Sequence, residues 1–78
     1  MHGVQQPSSR KRILTHMQKF KEATARQIAD SLSLGRTTVT AVLRKLWRDG
    51  VLSRNKPDGA YIYTITEEGK NVDPSNFR

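Results

Sequence analysis

Residues 24–52, TARQIADSLSLGRTTVTAVLRKLWRDGVL, carry two helix signatures separated by one break, and their reading decides the fold. Thr24-Ala25-Arg26-Gln27 places a hydroxyl at an N-cap and a Gln three residues on, the capping-box pattern. Ile28, Ala29 and Leu32 then share one face, which predicts a short helix over Ala25–Leu32. Ser33-Leu34-Gly35 breaks it. The next helix is expected over Arg36–Arg48. Its apolar residues Val39, Val42, Leu43, Leu46 and Trp47 recur as i, i+3, i+4, i+7 and i+8 and are expected to face a core. Asp49-Gly50 ends this helix: glycine at C′ accepts positive φ, and Val51 at C″ would fold back on Leu46, as a Schellman motif prefers.

Working outward, Pro7-Ser8-Ser9 supplies a helix start with Ser8 or Ser9 as N-cap. Ile13, Leu14, Met17 and Phe20 follow at helical spacing, so a first helix is predicted over Ser9–Phe20. Glu22–Thr24 has room for a brief strand. Downstream, Leu52–Asn55 reads as a strand and residues 56–59, Lys-Pro-Asp-Gly, as a turn in which Pro fixes φ. Residues 60–65 alternate, with Tyr61, Tyr63 and Ile65 on one face and Ile62 and Thr64 on the other. From Thr66 the chain is polar, with one short turn and a frayed end around Asp73-Pro74. The expected class is mainly α with a small β-hairpin (α+β), three helices and a two- or three-stranded sheet. Residues 1–7 are expected as a tail, 8–70 as the domain and 71–78 as a second tail.

Composition narrows the function. At 78 residues the chain is one domain's worth, and such a domain buries only about 60% of its unfolded surface. Little room is left for an enclosed substrate pocket. Hydrophobic residues make up 35%, enough for one core if they fall in phase. There is no cysteine, so disulfides, thiol catalysis and thiolate zinc sites are excluded, and an intracellular home is favoured. No apolar run approaches the ~18 residues of a membrane span, and residues 1–7 lack a signal peptide's apolar stretch. His2 and His16 have no ligating partners at metal spacing; neither metal nor cofactor is expected. Nucleophile–base pairs and phosphate-cradling glycine loops are lacking, and the adjacent Glu67 and Glu68 would not face each other on a helix, so no enzymatic activity is expected. Fourteen Lys and Arg against seven Asp and Glu give a net charge of +7. That excess suggests a polyanionic partner, nucleic acid first and an anionic membrane surface second.

The charges have a pattern. Between Arg36 and Lys56 stand six basic residues, Arg36, Arg44, Lys45, Arg48, Arg54 and Lys56, against one acid, Asp49. At about 100° per residue the helix over Arg36–Arg48 sets Thr37, Ala41, Arg44 and Arg48 nearly opposite the apolar stripe. Thr38 and Lys45 flank them on one side and Thr40 on the other. Short residues at the N-terminal end let a backbone approach bases in a major groove, which admits one helix. A threonine methyl suits a thymine methyl, and Arg44 can reach a guanine or a phosphate. Arg26, in the first turn of its helix, opposes the helix dipole, and a phosphate would relieve it. The run Arg10-Lys11-Arg12 fits either phosphate contact or a solvated surface. Tyr61 and Tyr63 are read as core and strand packing, not as base-stacking platforms.

Residues 23–70 resemble bacterial winged helix-turn-helix regulators. Residues 25–32, ARQIADSL, look like their second helix, and residues 34–40, LGRTTVT, like the turn into the recognition helix. Residues 43–52, LRKLWRDGVL, are similar to the helix end followed by acid, glycine and two apolar residues. Asp58-Gly59 with residues 65–70, ITEEGK, looks like the wing and closing strand of MarR-type proteins. Gly35 departs from a frequent Ser cap, and Ala41 from a polar or basic reader. The long flanking helices by which MarR-type proteins dimerise and bind ligands have no counterpart here, so no small-molecule effector is expected.

The resemblance implies double-stranded DNA as partner, with the third helix in the major groove and the wing on the flanking backbone. Arg36, Thr37, Thr38, Ala41 and Arg44 would face bases; Arg26, Thr40, Lys45, Arg48, Arg54 and Lys56 would hold phosphates. The expected role is a small transcriptional regulator of bacterial or phage type, cytoplasmic and at the nucleoid. One such module buries only ~600–1,000 Å² on DNA, so a homodimer or a partner protein is a further expectation. An adaptor module that meets an acidic protein, and a winged helix that docks on RNA by shape, are the alternatives.

Overall fold

The computed structural model describes residues 9–73. Ser8, one of the two expected N-caps, and most of the expected tails lie outside these residues. The order is α1 (Ser9–Phe20), β1 (Glu22–Thr24), α2 (Ala25–Leu32), α3 (Arg36–Arg48), β2 (Leu52–Asn55), β3 (Ile62–Ile65) and a one-turn α4 (Glu67–Lys70). The sheet is antiparallel in the order β1-β3-β2. It is therefore three-stranded, with the brief strand before α2 pairing onto the hairpin through Ala23 and Tyr63.

Short connections follow from local chemistry. Lys21, with φ 74°, turns the chain out of α1, and its N–H donates to Met17 O at 2.7 Å. Thr24 is both the last residue of β1 and the N-cap of α2, and the capping box forms in full: Gln27 N–H donates to Thr24 Oγ1, and Thr24 N–H to Gln27 Oε1. α2 ends on Ser33 in the left-handed region (φ 55°). No basic residue occupies its last turn, but Arg12 reaches across from α1 and donates to Leu32 O at 2.8 Å. Gly35 begins α3 in extended backbone without a side-chain cap. α3 stops as a Schellman motif: Gly50 has φ 83°, its N–H donates to Trp47 O at 3.1 Å, and Val51 N–H donates to Leu46 O at 3.0 Å.

The core gathers one stripe from each helix and one face of the sheet. Ile13, Leu14 and Met17 of α1, Ile28 and Ala29 of α2, and Val39, Leu43 and Leu46 of α3 are buried against Ala23, Val51, Leu52, Tyr63 and Ile65. Two residues of the predicted stripes are exposed. Trp47 is 38% exposed and Phe20 56% exposed. The correction at Trp47 has a geometric cause. Val39, Leu43 and Leu46 define the buried centre, and Trp47 points about 70° away from it, at the edge of the arc. Val42, at the other edge, is half-buried and packs on the core from outside. Tyr61, expected with Tyr63 in core and strand packing, precedes β3 and is also 38% exposed, although its ring centroid lies 6.1 Å from that of Tyr63.

The C-terminal end is pinned. The Thr66 hydroxyl accepts from Gly69 N–H at 3.0 Å and lies within donating distance of Gly50 O and Val51 O. Gln18 of α1 donates through Nε2 to Gly69 O and Val72 O, and Val72 packs on the core. Gly69 is buried so closely that a Cβ there would run into the Val51 carbonyl and the Ile65 side chain. Among the described residues no helix is long and apolar enough to cross a membrane.

Candidate nucleic-acid interface

Burying Val39, Leu43 and Leu46 turns the opposite side of α3 outward. Thr37, Thr38, Thr40, Ala41, Arg44, Lys45 and Arg48 are all exposed. They form a continuous track. Thr37, Ala41 and Arg44 line one shallow groove with Arg36 and Thr40, and Ala41 and Arg44 line the next with Lys45 and Arg48. Thirteen residues make α3 about 20 Å long, so the track is small and hydroxylated at its start and cationic at its end. Thr38 lines neither groove.

Arg36 borders two spaces, the groove along α3 and a second one beside it. It lies on the flank of α3 toward the wing, where it and Thr40 help line an open hollow of about 550 Å³. Arg26, from the first turn of α2, lines the same hollow, and so do Gly59, Ala60, Tyr61 and Tyr63 from the hairpin. Two cations from two helices thus border a space that the wing closes on its far side. Both helix starts point positive dipole ends and arginines toward this region.

The hairpin cations are held differently. Arg54, on β2, places its guanidinium carbon 3.6 Å from the ring centroid of Trp47 and 4.2 Å from that of Tyr61. Lys56 Nζ lies 4.9 Å from the Tyr61 ring. Sequence reading missed Trp47 and Tyr61 as parts of this surface. The available signal was angular: Trp47 falls on the same flank of α3 as Arg36 and Thr40, which the apolar periodicity alone had assigned to the core.

The site's electrostatics follow from a missing counter-charge. Among the described residues none of Arg26, Arg36, Arg44, Lys45, Arg48, Arg54 and Lys56 takes part in an ion pair, whereas Lys70 pairs with Glu67 at 3.0 Å on the short α4. The run at the start of α1 is outside this group. Arg12 is committed to Leu32 O, which is neither of the two roles expected for it, and Arg10 and Lys11 make contacts of their own. The arrangement is thus a helix of groove-compatible width, with small residues at one end, flanked by seven cations that form no ion pair among the described residues.

Residues 8–53 match the protein-family model described as winged helix-turn-helix DNA-binding. The chain belongs to this family. No curated protein matches its sequence. Among solved structures, this winged helix is similar to a MarR transcriptional regulator from Methanosarcina mazei Go1, with 22% identity and a TM-score of 0.75 over 85% of this chain and 50% of that one. It is also similar to the transcriptional regulator Tm0710 from Thermotoga maritima, with 28% identity and a TM-score of 0.69 over 82% of this chain and 47% of that one. The DNA-binding domain of the repressor BlaI matches over 94% of this chain and 96% of its own length, at 16% identity and a TM-score of 0.62. The winged helix therefore spans about half the length of the two full regulators and nearly all of the isolated DNA-binding domain.

Proposed function

We propose that this winged helix lays α3 in the major groove of duplex DNA and sets its hairpin on the flanking backbone, regulating transcription by occupying a promoter. The observation that carries this reading is the set of seven cations, without an ion pair among the described residues, around one exposed helix face and its wing. Thr37, Thr38, Ala41 and Arg44 reach base edges in this arrangement. Arg26, Arg36, Thr40, Lys45, Arg48, Arg54 and Lys56 hold phosphates. Arg36, expected among the base readers, lines both the α3 groove and the hollow toward the wing, and is placed here with the phosphate holders. The protein works in the cytoplasm, at the nucleoid.

The test is fluorescence anisotropy of a labelled random 20-base-pair duplex, titrated with protein across a salt series. About five to seven neutralised phosphates give a log–log slope of about −4.5 to −6. Affinity should then fall roughly 500- to 5,000-fold between about 50 and 200 mM salt. Absence of binding at about 50 mM salt would sink the reading and point to an acidic protein partner. Stronger binding to duplex RNA than to duplex DNA would move it to RNA.

A further inference from the structure

We infer that Trp47 and Tyr61 are positioning residues: they hold the Arg54 guanidinium in place as a preformed contact for a backbone phosphate and lock the wing to the end of α3. The inference rests on the duplex-DNA reading above. Its basis is the way Arg54 is held. Its guanidinium carbon stands at stacking distance from the Trp47 ring, 3.6 Å, and close to the Tyr61 ring, 4.2 Å. A cation attracted to π-faces is fixed without losing its charge, unlike one fixed by a carboxylate. Guanidinium N–H donors lie in the plane of the group, so contacts over its faces leave the donor edge open for a forked bond to a phosphate. The Arg54 side chain makes no hydrogen bond and no ion pair among the described residues, which agrees with donors held in reserve.

Two further observations point outward. Both rings are 38% exposed, so the trio lies at the surface and not in the core. Lys56 brings a second cation to the same Tyr61 ring, at 4.9 Å, again with no carboxylate partner among the described residues. Two like charges gathered on one ring repel each other, and an external anion relieves that repulsion. The trio also joins three places in the fold. Trp47 is one residue from the end of α3, Arg54 belongs to β2, and Tyr61 lies just before β3. A long side chain that is already immobilised loses little rotamer freedom on binding, and affinity gains accordingly.

The experiment uses the full chain and the random 20-base-pair duplex, with anisotropy read across the salt series. Variants are Arg54→Ala, Trp47→Leu, Trp47→Phe, Tyr61→Leu and the double variant Trp47→Leu/Arg54→Ala. Arg54→Ala should weaken binding on every sequence and flatten the salt slope by about 0.9, one phosphate's worth. Trp47→Leu and Tyr61→Leu should each cost about three- to tenfold in affinity. Trp47→Phe, which keeps a π-face, should recover most of that loss. The double variant should bind no more weakly than Arg54→Ala alone, because the ring acts only through the guanidinium. Losses that multiply in the double variant, or Trp47→Leu at wild-type affinity with its thermal unfolding unchanged, overturn the inference while leaving DNA binding intact. Wild-type protein that does not bind the duplex overturns both.

Discussion

Replacing Gly69 with alanine adds one methyl group at the tightest point of the fold. Its Cβ would overlap the Val51 carbonyl, stand 2.7 Å from Ile65 Cδ1 and 3.1 Å from Cγ1. The carbonyl is backbone and cannot rotate away, so α4 has to move outward. That movement weakens the Thr66 N–H bond to Val51 O (3.1 Å), the Thr66 hydroxyl contacts and the Gln18 bond to Gly69 O (2.9 Å). Overpacking of this kind costs about 1–3 kcal/mol, and a hydrogen bond lost in the shift about 1 kcal/mol more. Alanine's better helix propensity returns up to about 1 kcal/mol. The net destabilisation is about 1–3 kcal/mol. In a domain of this size each kcal/mol lowers Tm by about 4–8 °C, so a drop of about 5–20 °C is expected. Thermal melts followed by circular dichroism measure it. Gly35→Ala is the control, since a Cβ at Gly35 meets nothing within 4 Å and its φ of −68° is ordinary. A Gly69→Ala melt at or above the wild-type Tm would refute the argument that this glycine fixes α4 by sterics.

Other expectations are quicker to check. Gly35→Ser should cap α3, which now begins without a side-chain acceptor, and raise Tm by a few degrees, from a gain of a few tenths to about 1 kcal/mol. Burial first, and the neighbouring Lys19 charge second, pull the His16 pKa below its usual 6.5. The unfolded chain therefore takes up this proton before the folded one does. The contribution is complete above about pH 6.5 and is lost as pH falls toward the lowered folded value, so Tm should drop as pH falls below about 6.5 and drop less in His16→Gln. Arg44→Ala should weaken DNA binding. Competition with single-base site variants decides its role: relaxed discrimination by ~1–3 kcal/mol at one position marks a base contact, and equal loss on all sequences marks a phosphate contact.

The helix-turn-helix was legible because its signals are local. A hydroxyl and a Gln at capping spacing, a three-residue break and a glycine followed by valine each act within one turn of backbone. Thr24, Gln27, Gly50 and Val51 do in the structure what their spacing implies. The turn residue that takes positive φ before α3 is Ser33 and not Gly35, which composition alone would favour. What escaped sequence reading is set by tertiary contact. Periodicity places Trp47 within a stripe but does not say how wide the buried arc is, and the arc ends before it. Arg12 and Gln18 read as ordinary polar positions, yet each satisfies carbonyls from a distant segment, Leu32 in one case and Gly69 and Val72 in the other. The basic track on α3 was visible by angle, but the hollow that Arg36 also borders on the wing flank appears only once the hairpin is in place.

Thr24 ends a strand and begins a helix, and one residue, Lys21, separates α1 from that strand. The stretch from α1 to α2 therefore has no slack. Inserting a single residue across 21–24 would turn the buried Ala23 to the opposite face of the sheet and shift its pairing with Tyr63. Residues 56–60 are exposed and lie at the free end of the hairpin, where added length meets no such constraint. Divergence within this lineage should thus be uneven: sequence length is frozen at one joint and open to drift at the hairpin tip. A lineage can lengthen that tip while the angle between α3 and the sheet stays inherited.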